Sequence, residues 1–442
     1  MASETPAAPI DQATINRVVL ASFLGTMIEW YDFFLYGTAA ALVFNKLFFT
    51  SMDPRTGTMA AFATYAVGFF ARPIGGVIFG HYGDKIGRKS MLVTTLVMMG
   101  AATCLIGLLP TYNTIGIAAP ILLVVLRFVQ GFGVGGEWGG AVLMAVEHSR
   151  PGRRGLNASW VQAGVAAGML LANGVFSLFS QNLSEADFLA WGWRVPFLLG
   201  IVLLGLGLFI RVKVMETPLF TAVQISKKPT TLPILEVIRD YPKNVLLAMG
   251  ARFAENASFY VITVFVLTYA TGKLGLSKPT ILNAVLIGTA VQFFAIPLFG
   301  WLSDQVGRRI VYMTGTVLMA LFAWPFFLMI DTKSNLWITV AITLGLVIHA
   351  LMYAPQAAFF AELFGTRVRY SGASLGYQLA SPFAGGMAPL VASALLEWSN
   401  QNAWSVAAYI AVMCVITWVS VFLAEETSQL DMSDQTSGPG QT

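Results

Sequence analysis

Charge is what this sequence has least of. Only 11% of its 442 residues are Asp, Glu, Lys or Arg, while 56% are hydrophobic and the mean hydropathy is +0.71. A soluble domain carries about 25% charged residues, so this chain cannot cover a water-facing surface with charge. Two cysteines, Cys104 and Cys414, both lie in apolar runs; that excludes a disulfide framework and predicts buried thiols. No His, Cys and carboxylate residues cluster at metal-ligand spacing, so neither a metal nor another cofactor is expected. The net charge of +4 is small and scattered, which argues against nucleic acid as a partner. Apolar segments of about 10 alternating residues are missing too, which excludes a β-barrel.

What the chain does have is a series of continuous apolar runs. A run of about 20 residues spans a bilayer as a helix. The expected fold is an all-α membrane protein with 12 transmembrane helices in two six-helix halves. A tail over 1–16, a bundle over 17–212, a linker over 213–243, a second bundle over 244–423 and a tail over 424–442 make up the expected organisation. Glu4 and Asp11 leave no positive leader before the first run, so that run is read as a retained helix. The linker is basic and holds Pro218, Pro229 and Pro233; it reads as a tether, with regulation or lipid contact as the alternative. Of 26 basic residues, 17 fall on one side of the predicted spans and five on the other. That bias places both termini in the cytoplasm of a multi-pass plasma (inner) membrane protein.

The sequence also repeats itself. Gly80, Asp84, Gly87, Arg88 and Lys89 recur as Gly300, Asp304, Gly307, Arg308 and Arg309, an offset of 220. Glu147, Arg154, Ala158 and Ser159 recur as Glu362, Arg369, Ala373 and Ser374, an offset of 215. Two ordered echoes at nearly equal offset predict parallel halves, a transporter architecture. The Asp84 and Asp304 loops, with Arg88 and Arg308, are read as a latch on the cytoplasmic face; topology alone is the alternative.

These twin loops resemble the signature loop of the major facilitator superfamily. Longer stretches narrow the resemblance: Glu29-Trp-Tyr-Asp32-Phe-Phe-Leu-Tyr36-Gly37, Arg72-Pro73-Ile-Gly75-Gly76, Arg127-Phe-Val-Gln130-Gly131, Trp191-Gly-Trp193-Arg194 and Glu362-Leu-Phe-Gly-Thr-Arg367-Val-Arg369. Together they are similar to the metabolite:proton symporter family, which includes transporters for shikimate, α-ketoglutarate, and proline or betaine. Arg252-Phe-Ala-Glu255 is most similar to its shikimate-transporter branch. The resemblance implies a carrier working by alternating access, not an enzyme, and it strengthens the latch reading, with Gly80, Gly300, Glu147 and Glu362 as further gating residues.

Ionisable groups inside spans are costly unless paired or facing water, so each is a functional candidate. Glu29 and Asp32 stand three apart on one helix face; with Glu137 they are the candidate proton carriers, or else they neutralise Arg72. Arg127 and Gln130 are also three apart, and an Arg fork suits a substrate carboxylate. Arg127 has a second possible role, an ion pair with Asp32 or Glu137. Tyr36, Arg252, Glu255, Asn256 and Tyr260 are candidate substrate contacts, although Arg252 and Glu255 read equally well as a closed pair. His349, Tyr353 and Gln356 form one polar stripe, read as part of the same site. The central site is expected among helices one, four, seven and ten. The glycines from Gly131 to Gly140 lack the strand and Lys-Ser/Thr of a phosphate loop and read as close helix contacts. Trp30, Trp191, Trp193, Trp398 and Trp404, near span ends, read as interface anchors.

The function expected is proton-coupled uptake of a small organic acid such as shikimate. A zwitterionic osmolyte (proline or betaine) or a dicarboxylate such as α-ketoglutarate is the alternative. An export antiporter is disfavoured because Gly164-Val-Ala-Ala-Gly168 lacks the Gly-Pro that drug antiporters of the superfamily carry in their fifth helix. The partners expected are a small-molecule substrate, protons and the lipid bilayer, with the chain a monomer.

Overall fold

The computed structural model describes residues 11–52, 54–212, 233–430 and 432. The expected tails and linker fall partly outside the described residues, Lys227, Lys228, Pro218 and Pro229 among them.

In hydrocarbon there is no water to bond the backbone, so a spanning segment must satisfy its own N–H and C=O groups. The chain does this with helices, and no strand occurs among the described residues. The first half holds α1 (Gln12–Ala39), α2 (Pro54–Ile86), α3 (Arg88–Leu108), α4 (Ala118–Glu147), α5 (Arg154–Asn182) and α6 (Arg194–Val212). The second holds α7 (Pro242–Lys273), α8 (Lys278–Val306), α9 (Arg308–Asp331), α10 (Asn335–Glu362), α11 (Arg369–Trp398) and α12 (Trp404–Leu423). Eleven of the described helical stretches are long and apolar enough to cross a membrane. The remaining long helix, α2, has 33 residues and carries Arg72 and Pro73 near its middle. α1 begins at Gln12, ahead of the expected residue 17, because the Asp11 side chain caps it, accepting from the Thr14 N–H at 2.7 Å. The last part of the expected linker is also helical, over Pro233–Asp240.

Within the first half α1 packs on α5, and α4 on α2 and α3; within the second, α10 packs on α8 and α9, and α12 on α7 and α9. The halves meet along two seams, α2 against α11 and α5 against α8. These seams are exchanged by the internal repeat, since α2 corresponds to α8 and α5 to α11. Small residues let the backbones close. A side chain on Gly80 would meet Ser371 of α11, and one on Gly300 would meet Ser159 of α5. In α4, Gly131 and Gly135 lie on the α2 backbone at Gly68 and Arg72, while Gly139 and Gly140 lie on Tyr370 of α11.

The repeated Gly87 and Gly307 have a separate cause. Each turns the chain between two helices with φ of 121° and 102° and ψ near 150°, a region almost closed to residues with a Cβ. Two expectations need correction. Trp30 and Trp193 are buried and anchor no interface: Trp30 packs on Phe33 and Phe34, and Trp193 on Phe44, Phe48 and Phe197. Trp191, Trp398 and Trp404 are exposed. Cys414 is buried, but Cys104 is only half-buried; neither is in a disulfide.

Gly87→Ala and Gly307→Ala should each destabilise the protein by about 1–3 kcal/mol, the cost of such backbone strain. Thermal unfolding of the purified variants in detergent measures this; a midpoint equal to that of the parent at either site contradicts it.

Candidate functional site

The face of the bundle holding the repeated loops is held shut by a symmetric set of polar contacts. Asp84, at the end of α2, accepts from the backbone N–H groups of Tyr370 (3.3 Å) and Ser371 (2.9 Å) in the first turn of α11. Asp304, at the end of α8, accepts from Gly155 and Leu156 in the first turn of α5, both at 2.8 Å. Each half thus presents a carboxylate to the positive helix end of the other. Two further carboxylates close the same face. Glu147 bonds Arg88 of its own half at 3.1 Å and Arg369 of the other at 3.2 Å. Glu362 bonds Arg308 at 3.3 Å and lies 3.7 Å from Arg154 across the seam. Arg308 also reaches Asp304 at 2.7 Å. The contacts on this face thus extend beyond the twin loops to Glu147 and Glu362, and Asp84 grips backbone N–H groups of the opposite half. Glu426 supports the set by capping α9: burial pushes its carboxyl up, but the N–H groups of Arg308, Arg309 and Ser428 outweigh that and hold it below the usual range. Its cap is therefore in place at neutral pH and is lost only as pH falls below that lowered value.

Toward the middle of the bundle lies a small, tightly packed cavity. Of the candidate substrate contacts, Arg252, Glu255, Asn256, Tyr260, His349 and Tyr353 line it. Trp30 of α1, Gln292 of α8 and Tyr377 of α11 join them. The Arg252 guanidinium lies 3.4 Å from Glu255 and is stacked on the Tyr377 ring, 3.1 Å from its centroid. Gln356 bridges the pair, accepting from Arg252 at 3.3 Å and donating to Glu255 at 3.4 Å and to the Tyr312 hydroxyl at 2.7 Å. Gln292 donates to Nδ1 of His349 at 2.7 Å, so Nε2 carries the imidazole proton toward Glu255, 3.3 Å away. Glu255 is thus the hub of the second half's polar groups. Gln292 stands as a polar residue in the apolar run of α8, a signal that could have marked it; nothing in the sequence marks Tyr377.

The first-half candidates sit elsewhere. Arg127 and Gln130 of α4 do not line the cavity; the lining comes from α1, α5, α7, α8, α10 and α11. Arg127 is buried over the rings of Phe33, Tyr36 and Tyr65 at 4.3–4.8 Å, and it donates to Gln130 at 3.2 Å. Its Nε and Nη2 have no hydrogen-bond acceptor among the described residues. Arg72 shares the Phe33 ring, 4.4 Å from its centroid, and lies 4.6 Å from Phe69, with Nε and Nη2 likewise without an acceptor among the described residues. Tyr36 donates to Thr64 at 2.6 Å, and Gln130 to Thr103 at 2.7 Å. Asp32 is buried against Gly200 of α6 and within electrostatic reach of Arg127. Glu29 is buried on the same helix, and Glu137 accepts from Thr95 at 2.8 Å. The first-half cluster adjoins the cavity through Phe69, which packs edge-on to Tyr260 with centroids 5.5 Å apart.

The sequence profile of the Major Facilitator Superfamily matches residues 22–374 and 248–437. The chain belongs to this superfamily. It is 44% identical over 429 residues to the shikimate transporter of Escherichia coli, covering 95% of this chain and 98% of that one. It is 40% identical to an inner membrane metabolite transport protein of the same organism (93% and 94% covered) and 34% identical to its proline/betaine transporter (97% and 87%). Among solved structures, a proton:xylose symporter bound to a halogenated glucose superposes with a TM-score of 0.78 at 16% identity, covering 96% of this chain and 98% of that one. The inward-open form of the Escherichia coli xylose transporter superposes at 0.63, with 16% identity and 95% and 99% covered. The major facilitator fold, the membrane setting and a transporter of small molecules follow.

Removing one partner of the buried Arg252–Glu255 pair leaves an uncompensated charge, so Arg252→Met or Glu255→Leu should each cost about 3–5 kcal/mol of stability. The double variant should cost less than either single one. Melting midpoints in detergent test this, and strictly additive losses contradict the pairing.

Proposed function

We propose that this transporter carries a small organic acid, such as shikimate or a related carboxylate, together with protons. The observation that carries this reading is the pair of buried guanidiniums, Arg72 and Arg127, flanking Phe33 with donors that have no acceptor among the described residues. A buried cation with idle donors favours an anionic ligand, and the planar fork of an Arg suits a carboxylate. Asp32, near Arg127, is the candidate proton carrier, with Glu29 and Glu137 as the other carboxylates of the half. With Asp32 ionised, its charge offsets that of Arg127. Once Asp32 is protonated, Arg127 is free to take the substrate carboxylate, and the neutralised centre can cross between states at lower electrostatic cost. Arg252, Glu255, Asn256, Tyr260, His349, Tyr353 and Gln356 then offer hydroxyl and amide partners from the second half. Asp84, Asp304, Glu147 and Glu362 with their basic partners act as the gate, on the face that the basic-residue bias makes cytoplasmic. The similarity to the shikimate transporter supports the substrate class, and the inner membrane is the corresponding location.

The cavity's aromatic wall, with Trp30, Phe259, Tyr260, Tyr353 and Tyr377 around Glu255, favours a second reading, a zwitterion whose cationic group rests on the rings. Uptake into proteoliposomes with an imposed inward proton gradient, competed by shikimate, α-ketoglutarate, proline and betaine, separates the two. Shikimate should compete best, and collapsing the gradient should abolish accumulation. Competition by betaine alone overturns the organic-acid reading, and accumulation indifferent to the gradient overturns proton coupling. Arg127→Lys should cut uptake at least about tenfold, because it keeps the charge but loses the two-pronged geometry; near-normal uptake removes Arg127 from the site.

A further inference from the structure

Beyond α12, the described residues 424–430 and 432 stay against the bundle. Glu426 accepts from the backbone N–H groups of Arg308 (2.9 Å) and Arg309 (3.0 Å), which fixes the segment at the start of α9. The next residue, Thr427, is fully buried and donates to Glu362 at 2.7 Å. Glu362 is the latch carboxylate that also holds Arg308 and faces Arg154. The segment then crosses the seam. Arg154, in the first turn of α5, donates to the Leu430 carbonyl at 2.7 Å. It returns to the second half at Met432, whose carbonyl accepts from Thr366 at 2.9 Å and from Arg369 at 3.3 Å. Met432 is only 5% exposed.

We propose that Ala424–Leu430, with Met432, acts as a strap that holds the latch face closed and must let go before that face opens. Three of the side chains it engages, Glu362, Arg154 and Arg369, belong to the latch, and Arg154 stands on the opposite half from α12. When the halves part on this face, the Arg154–Leu430 bond has to break, and the buried Thr427 and Met432 lose the cover of the closed seam. A segment so placed weights the equilibrium toward the state closed on this face. It also gives a handle by which anything that binds or pulls on the chain end would change the rate of opening, whichever substrate is carried.

The test uses full-length protein with Cys104→Ser and Cys414→Ala and a reporter, Ser374→Cys, on α11. Ser374 is fully buried in the closed seam beside Gly139. Its labelling by a polar maleimide in detergent reads the fraction of time the latch face is open. Thr427→Val keeps the chain intact and removes the bond to Glu362; Glu426→Ala removes the α9 cap. Thr427→Val should raise the labelling rate about fivefold, the population change for one lost hydrogen bond; Glu426→Ala, which removes several, should raise it at least as much, and truncation after Ala424 further still. Asp304→Asn, which weakens the latch itself, is the positive control. Labelling that rises with Asp304→Asn but stays at the parent rate with Thr427→Val and Glu426→Ala overturns the strap. If truncation lowers the melting midpoint so far that the protein unfolds, Thr427→Val alone decides.

Discussion

A charge inside a bilayer must be paired, stacked or wet, because its solvation cannot be replaced by hydrocarbon. That constraint arranges everything polar in this chain. It sends most basic residues to the loops and concentrates those within the spans at a few places. Arg252 meets it by pairing with Glu255 and stacking on Tyr377. Arg72 and Arg127 meet it with aromatic faces, and some of their guanidinium donors have no acceptor among the described residues. The proposed function rests on these donors more than on the small cavity beside them.

The same constraint explains how two halves that must move can still be held firmly. A side-chain carboxylate gripping the first turn of a helix in the opposite half makes a strong contact out of backbone groups that need a partner in any case. Asp84 on α11 and Asp304 on α5 do this once in each direction, and Glu147 and Glu362 repeat the pattern with Arg369 and Arg154. All four contacts lie on one face. Separating the halves there exposes the freed groups to water, which rehydrates them, so the closed state is favoured without being a trap.

Much of the fold was legible in the sequence because it rests on chemistry with few substitutes. Gly87 and Gly307 turn the chain through backbone angles that hardly any other residue adopts, and Gly80 and Gly300 sit where a Cβ would strike the facing helix. Those four positions, with the Asp and Arg beside them, made the repeat visible and with it the two halves. The partners of Asp84 and Asp304 were not legible, since they are backbone N–H groups, which carry no residue signature. Nor could side-chain type tell Trp30 and Trp193, both buried, from the exposed Trp191 or Trp398. The spacing of His349, Tyr353 and Gln356 put them on one face, but only the fold brings Glu255, Gln292 and Tyr377 to that face. Arg127 shows the limit most clearly: its chemistry could be read, yet its neighbours, a ring of Phe33, Tyr36 and Tyr65, come from two other helices.

The proposed function requires an organic acid and a proton to cross together. Proteoliposomes with no imposed gradient, in a weakly buffered medium with a pH electrode, test it most directly. Adding shikimate outside should make the medium alkaline in step with shikimate uptake, because each carboxylate anion removes a proton from the medium as it enters. Uptake of shikimate with a flat pH trace would contradict the account.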